Sequence, residues 1–259
     1  HSGTLDPQVT GVQPIALGKA SRITQFLLTA PKEYVCVMHL HKEVDEEILK
    51  ETIQKFIGKI KQLPPIKSAV KRVERIREIY EFEIFEIKGQ DVLFRTGVEA
   101  GTYIRKLCHD IGKALGCGAH MAELRRTKAG PFDEKTLFTL QDLTDAYYFY
   151  KKENNGKFLR KIIQPTENAI QHLPKIWVFD TAVANICTGA QLAHQGVSKL
   201  TTNIKQGDLV AILSLKDELV CLGKAIMTPE NILKNKPGIA VKTEKVFMER
   251  DVYPRKNTK

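Results

Sequence analysis

The sequence predicts an α+β protein, a mixed or antiparallel sheet with flanking helices followed by a small β-barrel-like domain. Three observations predict it. Tyr80, Phe82 and Ile84 alternate with Glu81 and Glu83, and Lys88-Gly89-Gln90 then turns the chain into residues 92–98, the pattern of an antiparallel hairpin with one solvated face. Residues 45–61 and 102–115 carry apolar side chains at helical spacing. Beyond residue 175 the pattern changes to short apolar runs led by glycine turns, as at 207–213, 219–223 and 238–241, which suit a small barrel.

The elements follow in order. His1-Ser2-Gly3-Thr4-Leu5-Asp6-Pro7 forms a stiff loop, because Gly3 permits angles closed to other residues and Pro7 pushes Asp6 towards an extended backbone. Asp6 is either a reactive carboxylate on that loop or the cap of an Asx-type turn. Residues 21–30 suit a short helix, and 34–40, with Tyr34, Cys36 and Met38 opposite Val35 and Val37, reads as a central strand covered on both faces. Asp45, Glu46 and Glu47 place negative charge at the positive end of a helix whose buried stripe is Ile48, Leu49, Ile53, Phe56, Ile57 and Ile60, closed by Lys59 and Lys61.

Pro64-Pro65 breaks that pattern, and Lys67, Lys71, Arg72, Arg75 and Arg77 follow as a basic run, either a solvated face or a contact for RNA phosphates. After the hairpin, Thr102 is expected to cap a helix with the stripe Ile104, Leu107, Cys108, Ile111 and Leu115, ended by Gly116 and Gly118. Its first turn presents Tyr103 and Arg105. Residues 132–150 give short, mixed signals, and 151–157 reads as an exposed surface loop. A domain boundary is expected near Leu173-Pro174, giving domains at 1–173 and 174–250 and a tail at 251–259, with a short helix at 181–186.

The chain has 259 residues, 42% of them hydrophobic, enough for one large core or two ordinary ones. Forty Lys and Arg against thirty Asp and Glu leave a formal charge of +10, which favours a polyanionic partner, nucleic acid ahead of a membrane surface. No run approaches the roughly 18 apolar residues of a spanning helix. Cys36, Cys108, Cys117, Cys187 and Cys221 are odd in number and widely spaced, so they read as reduced core residues, and no Cys/His cluster has metal-ligand spacing. No bound metal and no cofactor are expected.

Two stretches together carry a resemblance. The loop ending in Gly3-Thr4-Leu5-Asp6-Pro7 and the segment Gly101-Thr102-Tyr103-Ile104-Arg105 resemble the two signature motifs of the TruB/dyskerin family of RNA pseudouridine synthases. Gln62-Leu63-Pro64-Pro65-Ile66-Lys67-Ser68-Ala69 and Leu124-Arg125-Arg126-Thr127 extend the likeness, and the C-terminal part resembles a PUA RNA-binding module. In that family the first motif follows an N-terminal segment, so residues upstream of His1 are expected to be missing. The resemblance implies that Asp6 is the catalytic aspartate, as nucleophile or base, and that Arg105 is its fixed cationic partner, with a fork able to pair at two points.

It further implies that Tyr34, Tyr103 and Leu124 line the pocket for an extruded base and that His1 contacts substrate, although each of the first three taken alone would suit a core. Arg125 and Arg126 either hold phosphates or pair with acidic groups. The run 67–77 matches a loop that closes over RNA in the family. Gly189, Ala190 and Leu192 match a nucleotide-contacting loop of the PUA module, unless that loop is only a turn, and Lys199 lies near enough to supply a phosphate contact.

After its Ser-Ala-x-Lys element the chain runs directly on through 70–80, as in the guide-dependent, dyskerin-like branch. The resemblance therefore implies the catalytic subunit of an H/ACA ribonucleoprotein, in the cytoplasm if archaeal and the nucleolus if eukaryotic. Its implied partners are guide and substrate RNA, a short zinc-ribbon-type protein on the catalytic domain, a small β-barrel protein near the 63–77 loop, and a kink-turn-binding protein reached through the guide. A stand-alone tRNA pseudouridine synthase and a non-catalytic RNA scaffold are the alternatives.

Overall fold

The structure is a computed structural model that describes residues 1–63, 73–234 and 236–254. The chain divides into two compact units, residues 1–16 with 24–159 and residues 17–23 with 160–259. The boundary expected from the sequence at Leu173-Pro174 falls inside the second unit.

The first unit is built on a seven-stranded sheet. Its strands are β1 (Thr10–Gly11), β2 (Lys32–Leu40), β3 (Gly58–Gln62), β4 (Arg75–Lys88), β5 (Asp91–Val98), β6 (Ala119–Ala129) and β7 (Phe132–Asp133). They run in the order β1-β6-β2-β5-β4-β3, with β7 on β6, and every pairing is antiparallel except β1 with β6. The helices are α1 (Thr24–Leu28), α2 (Glu46–Gln54), α3 (Ile104–Ala114), α4 (Leu140–Glu153) and, in part, α5 (Lys157–Ile162).

The hairpin forms as expected, β4 and β5 joined across Gly89 at φ 58°. Strand β2 is central, paired with β5 on one side and β6 on the other, but only one of its faces is fully covered. Cys36, Met38 and Leu40 are buried while Val35 and Val37 stay half-buried, so the expectation of two covered faces fails. The covered face meets Leu49 and Ile53 of α2 and Ile104, Leu107, Cys108 and Ile111 of α3 in one core.

Helix α2 is shorter than its periodicity suggests. Asp45 caps it by accepting from the Glu47 and Ile48 amides, but the chain leaves the helix after Gln54, and Ile60 lies in β3 beyond Gly58 at φ 96°. Ile48 points to solvent. At α3 the expected cap is wrong by one residue: Tyr103 is the N-cap, and the Thr102 hydroxyl donates to the Glu99 carbonyl at 2.7 Å, closing the turn that leads out of β5. Residues 132–150, unassigned from sequence, contain most of α4, opened by a Thr139/Asp142 capping box and stopped by Asn154 in the left-handed region. Lys151, Lys152 and Glu153 belong to that helix rather than to a loop.

The second unit holds a six-stranded sheet in the order β10-β8-β11-β12-β13-β9, from β8 (Lys175–Val178), β9 (Leu192–Ala193), β10 (Val197–Leu200), β11 (Leu209–Leu213), β12 (Leu219–Ala225) and β13 (Ile239–Val246). Helices α6 (Asp180–Cys187) and α7 (Pro229–Leu233) contribute to its core, where Val183, Ile186 and Ile232 meet Ile176, Val210, Ile212, Val220 and Val241. The nearly closed, barrel-like sheet and the α6 helix match the expectation.

Candidate active site

The site lies where the 1–14 segment, the near ends of β2 and β6, and the start of α3 meet. The turn after Asp6 is closed by main chain, the Val9 amide donating to the Asp6 carbonyl at 2.9 Å with Pro7 in the position that favours a β-turn. That frees the carboxylate, which pairs with the Arg105 guanidinium instead of capping its own backbone. Both side chains are about half exposed, 56% and 52%, so the pair sits in an open groove rather than a dry pocket.

Arg105 is placed by its helix, and the helix start is held by Gln62. The buried Gln62 side chain accepts from the Tyr103 amide at 3.0 Å and donates to the Tyr103 carbonyl at 3.2 Å, which ties the end of β3 to the first turn of α3. Strand register places Tyr34 opposite Arg126 and Cys36 opposite Leu124, so Leu124 and Tyr34 pack side by side against the core. Burial pushes the Tyr34 hydroxyl above the usual phenol range, Arg126 opposes that through its charge and a hydrogen bond, and the Asp6 carboxylate adds to the rise. Tyr34, Asp6 and Arg105 are thus brought together, and Leu124 packs against the same core as Tyr34. Tyr103 is half-buried beside Arg105, and His1 is exposed at the chain start.

Several expected RNA contacts are placed elsewhere. Arg126 is 1% exposed and donates to the Val12 carbonyl at 2.7 Å and the Gly3 carbonyl at 3.2 Å, so it faces inward and cannot hold a phosphate. Its neighbour Arg125 points outward, as strand alternation requires, and pairs with Glu134 at 2.5 Å and the Thr10 hydroxyl at 3.2 Å, the second of the alternatives read from sequence. Arg75 and Arg77 lie in β4 rather than in a basic loop. Arg77 is engaged with the Ile76 carbonyl at 2.9 Å and Glu99 at 3.4 Å beside the Gly101 turn. Lys67, Lys71 and Arg72 lie outside the described residues.

In the second unit Leu192 is buried in the core and is no RNA contact. Gly189 is exposed at φ 95°, with open space where a side chain would stand, and Ala190 accepts from the Thr243 hydroxyl at 2.8 Å. The Lys199 ammonium sits 4.1 Å over the Trp177 ring. Gly189 shares a groove with Lys19, Arg22, Phe247, Met248, Glu249 and Arg250, and Lys19 is paired there with Glu249. These three cations come from two segments at opposite ends of the chain, and no local pattern announces them.

Among the described residues no group of three or more His, Cys, Asp or Glu side chains is arranged to hold a metal ion, and no helix is long and apolar enough to cross a membrane.

Family models match the whole catalytic region and most of the second unit. Residues 1–104 match the TruB family pseudouridylate synthase N-terminal domain, 105–171 the tRNA pseudouridylate synthase B C-terminal domain, and 174–247 the PUA domain. The "Probable tRNA pseudouridine synthase B" of Pyrococcus furiosus is 58% identical over 256 residues, 98% of this chain and 75% of the relative. That of Methanothermobacter thermautotrophicus is 55% identical over 98% of this chain and 79% of its own length. Among solved structures, a Cbf5-Nop10-Gar1 complex contains a chain 58% identical with a TM-score of 0.94, covering 98% of this chain and 78% of that one. An H/ACA RNP bound to a substrate RNA containing 2'-deoxyuridine contains a chain 55% identical with a TM-score of 0.90 and the same coverage. At this identity across nearly every residue, and with the same fold, the chain belongs to the TruB/Cbf5 family of pseudouridine synthases, isomerases that modify RNA.

Proposed function

We propose that this chain converts uridine to pseudouridine as the catalytic subunit of a guide-RNA-directed ribonucleoprotein, with Asp6 as nucleophile or base. The reading is carried by the H/ACA setting of the structures it is similar to at 55–58% identity over 98% of its length. The reaction breaks the bond from C1′ to N1, joins C1′ to C5 of the same base, gives up the C5 proton to solvent and leaves N1 carrying a proton taken from solvent, so the atoms balance with no co-reactant. Asp6 supplies a carboxylate to the sugar, and Arg105, whose charge is permanent, keeps it oriented.

Reaching that bond requires the uridine to leave its stack, and Tyr34, Tyr103 and Leu124 offer the aromatic and apolar walls an extruded base needs. His1 stands at the mouth of the same loop. In the second unit the groove offers the cations Arg22 and Arg250 and the approachable backbone of Gly189 to a guide RNA, beside a Lys19 paired with Glu249. Helix α4 leaves Tyr147, Tyr148 and Tyr150 exposed, the kind of aromatic surface that a protein subunit covers. The archaeal relatives point to the cytoplasm.

The name of the curated relatives favours a second reading, a stand-alone synthase acting on tRNA. Tritium release from C5-labelled uridine separates the readings: release from a target RNA only when its guide RNA and protein partners are present supports the first, and equal release from unguided tRNA supports the second. No release from either RNA would remove both.

A further inference from the structure

We propose that Arg126 is a positioning residue of the active site, a buried staple that holds both ends of the Asp6 loop and the Tyr34 hydroxyl in one arrangement. The inference rests on the reading of Asp6 as the reactive carboxylate. Arg126 is the largest fully buried side chain among the described residues. Its charge is answered by two carbonyls of the 1–14 segment, Nε donating to Val12 at 2.7 Å and Nη2 to Gly3 at 3.2 Å, and the guanidinium lies close enough to Tyr34 on β2 to oppose the rise that burial gives its hydroxyl.

Gly3 and Val12 bracket Asp6, so the two carbonyls tie down the segment on both sides of the carboxylate. The main chain of Arg126 grips the same segment, its carbonyl accepting from the Val12 amide at 2.8 Å. The approach is close enough that a side chain at Gly11 would place its Cβ 2.1 Å from the Arg126 carbonyl oxygen, and one at Gly3 would lie 3.6 Å from Nη1. Gly11, at positive φ, is what lets the segment lie this close to the main chain of Arg126, and the spacing at Gly3 is ordinary contact.

Only arginine suits the position. A rigid fork with five donors can hold the Val12 and Gly3 carbonyls from two of its nitrogens at once, whereas a lysine ammonium is a compact charge that would leave one of them unpaired in a buried site. The neighbouring Lys32 cannot substitute, because its ammonium is committed to the carbonyls of Leu27, Leu28 and Ala30 at 2.8, 3.2 and 2.6 Å.

The test uses the full chain assembled with its guide and partners. Arg126→Lys and Arg126→Met, each checked for a folded chain by thermal melt, should lower kcat about 10²-fold, the loss expected when a reacting group is misplaced by about 1 Å. RNA affinity should stay within about twofold, with the salt dependence of binding unchanged, because neither substitution removes a cation from a phosphate. In a Tyr34→Phe background the same substitutions should cost measurably less, since part of the staple is already gone. Near-normal turnover of Arg126→Lys overturns the proposal, as does a fall in affinity with a flatter salt slope, which would return Arg126 to RNA.

If neither variant folds, the parent protein decides. The Arg126 Nε–H, followed by nitrogen-15 NMR, should exchange slowly and keep its shift when RNA is added, and rapid exchange or an RNA-dependent shift overturns the assignment. Asp6→Asn is measured alongside. Full activity of that variant removes the reading of Asp6, whereas an inactive Asp6→Asn beside a normal Arg126→Lys removes only the staple.

Discussion

Asp6 and Arg105 meet where both side chains are about half exposed, and that exposure limits what their pairing adds to stability. Exposed ion pairs contribute roughly 0–1 kcal/mol. The pair is therefore better explained by what it orients than by what it holds together. Asp6→Asn should reduce turnover by about 10²–10⁴-fold, the worth of a positioned acid or base, while moving the unfolding free energy by less than about 1 kcal/mol and RNA affinity hardly at all. Tritium-release kinetics and a denaturant melt on the same preparation check both halves. A variant that lost stability and activity together would make Asp6 a structural residue of the loop.

Elements carry the stability that the ion pair does not. Helix α3 presents Arg105 from one side while Leu107 and Ile111, both fully buried, anchor the other in the sheet core. Leu107→Ala should cost about 2–5 kcal/mol in denaturant unfolding, the range for truncating a buried leucine. Strand β2 is tied sideways by Glu33, which accepts from the Thr127 hydroxyl at 2.8 Å on β6 and pairs with Lys128 at 3.0 Å and Arg95 of β5 at 3.1 Å.

Burial alone would raise the Glu33 carboxyl, but the Thr127 and Lys128 bonds and the charges of Lys128 and Arg95 outweigh it and hold the group below its usual value of 4.5. The sign follows: a depressed carboxyl contributes stability present above the unfolded value and lost as pH falls through the lower folded one. Glu33→Gln should therefore be less stable than the parent near pH 7, and the two melting temperatures should converge as the pH is taken below about 4.5. Parallel curves across that range would mean that Glu33 contributes nothing through its charge.

At the scale of the whole molecule, an excess of ten positive charges gives long-range attraction to RNA, but it does not say where RNA rests. The groove of Lys19, Arg22, Gly189 and Arg250 is the candidate in the second unit. Replacing Lys19, Arg22 and Arg250 with glutamine should weaken guide-RNA binding and flatten its salt dependence by up to about one unit for each cation that meets a phosphate, leaving slow guide-independent release on tRNA intact. Filter binding across a salt series reads the first effect and tritium release the second. Equal loss of both activities, with the chain folded, would place this groove in the service of the catalytic site.

The sequence by itself determined the β4/β5 hairpin, the stripe of α3, the α6 helix and the barrel-like tail, because each rests on local periodicity and turn residues that the chain carries within a few positions. The resemblance of two of its motifs to those of the family also implied the pairing of Asp6 with Arg105 that the structure contains. Only the tertiary structure decided which way charges face. Arg125 and Arg126 are adjacent and chemically identical in the sequence, yet strand alternation sends one to Glu134 at the surface and the other inward to the Gly3 and Val12 carbonyls of a segment more than a hundred residues away. The same holds for Leu192, read as a loop contact and found in the core, and for Lys19, Arg22 and Arg250, gathered from opposite ends of the chain. Burial and long-range partners are properties of the folded packing, and no short window of sequence contains them.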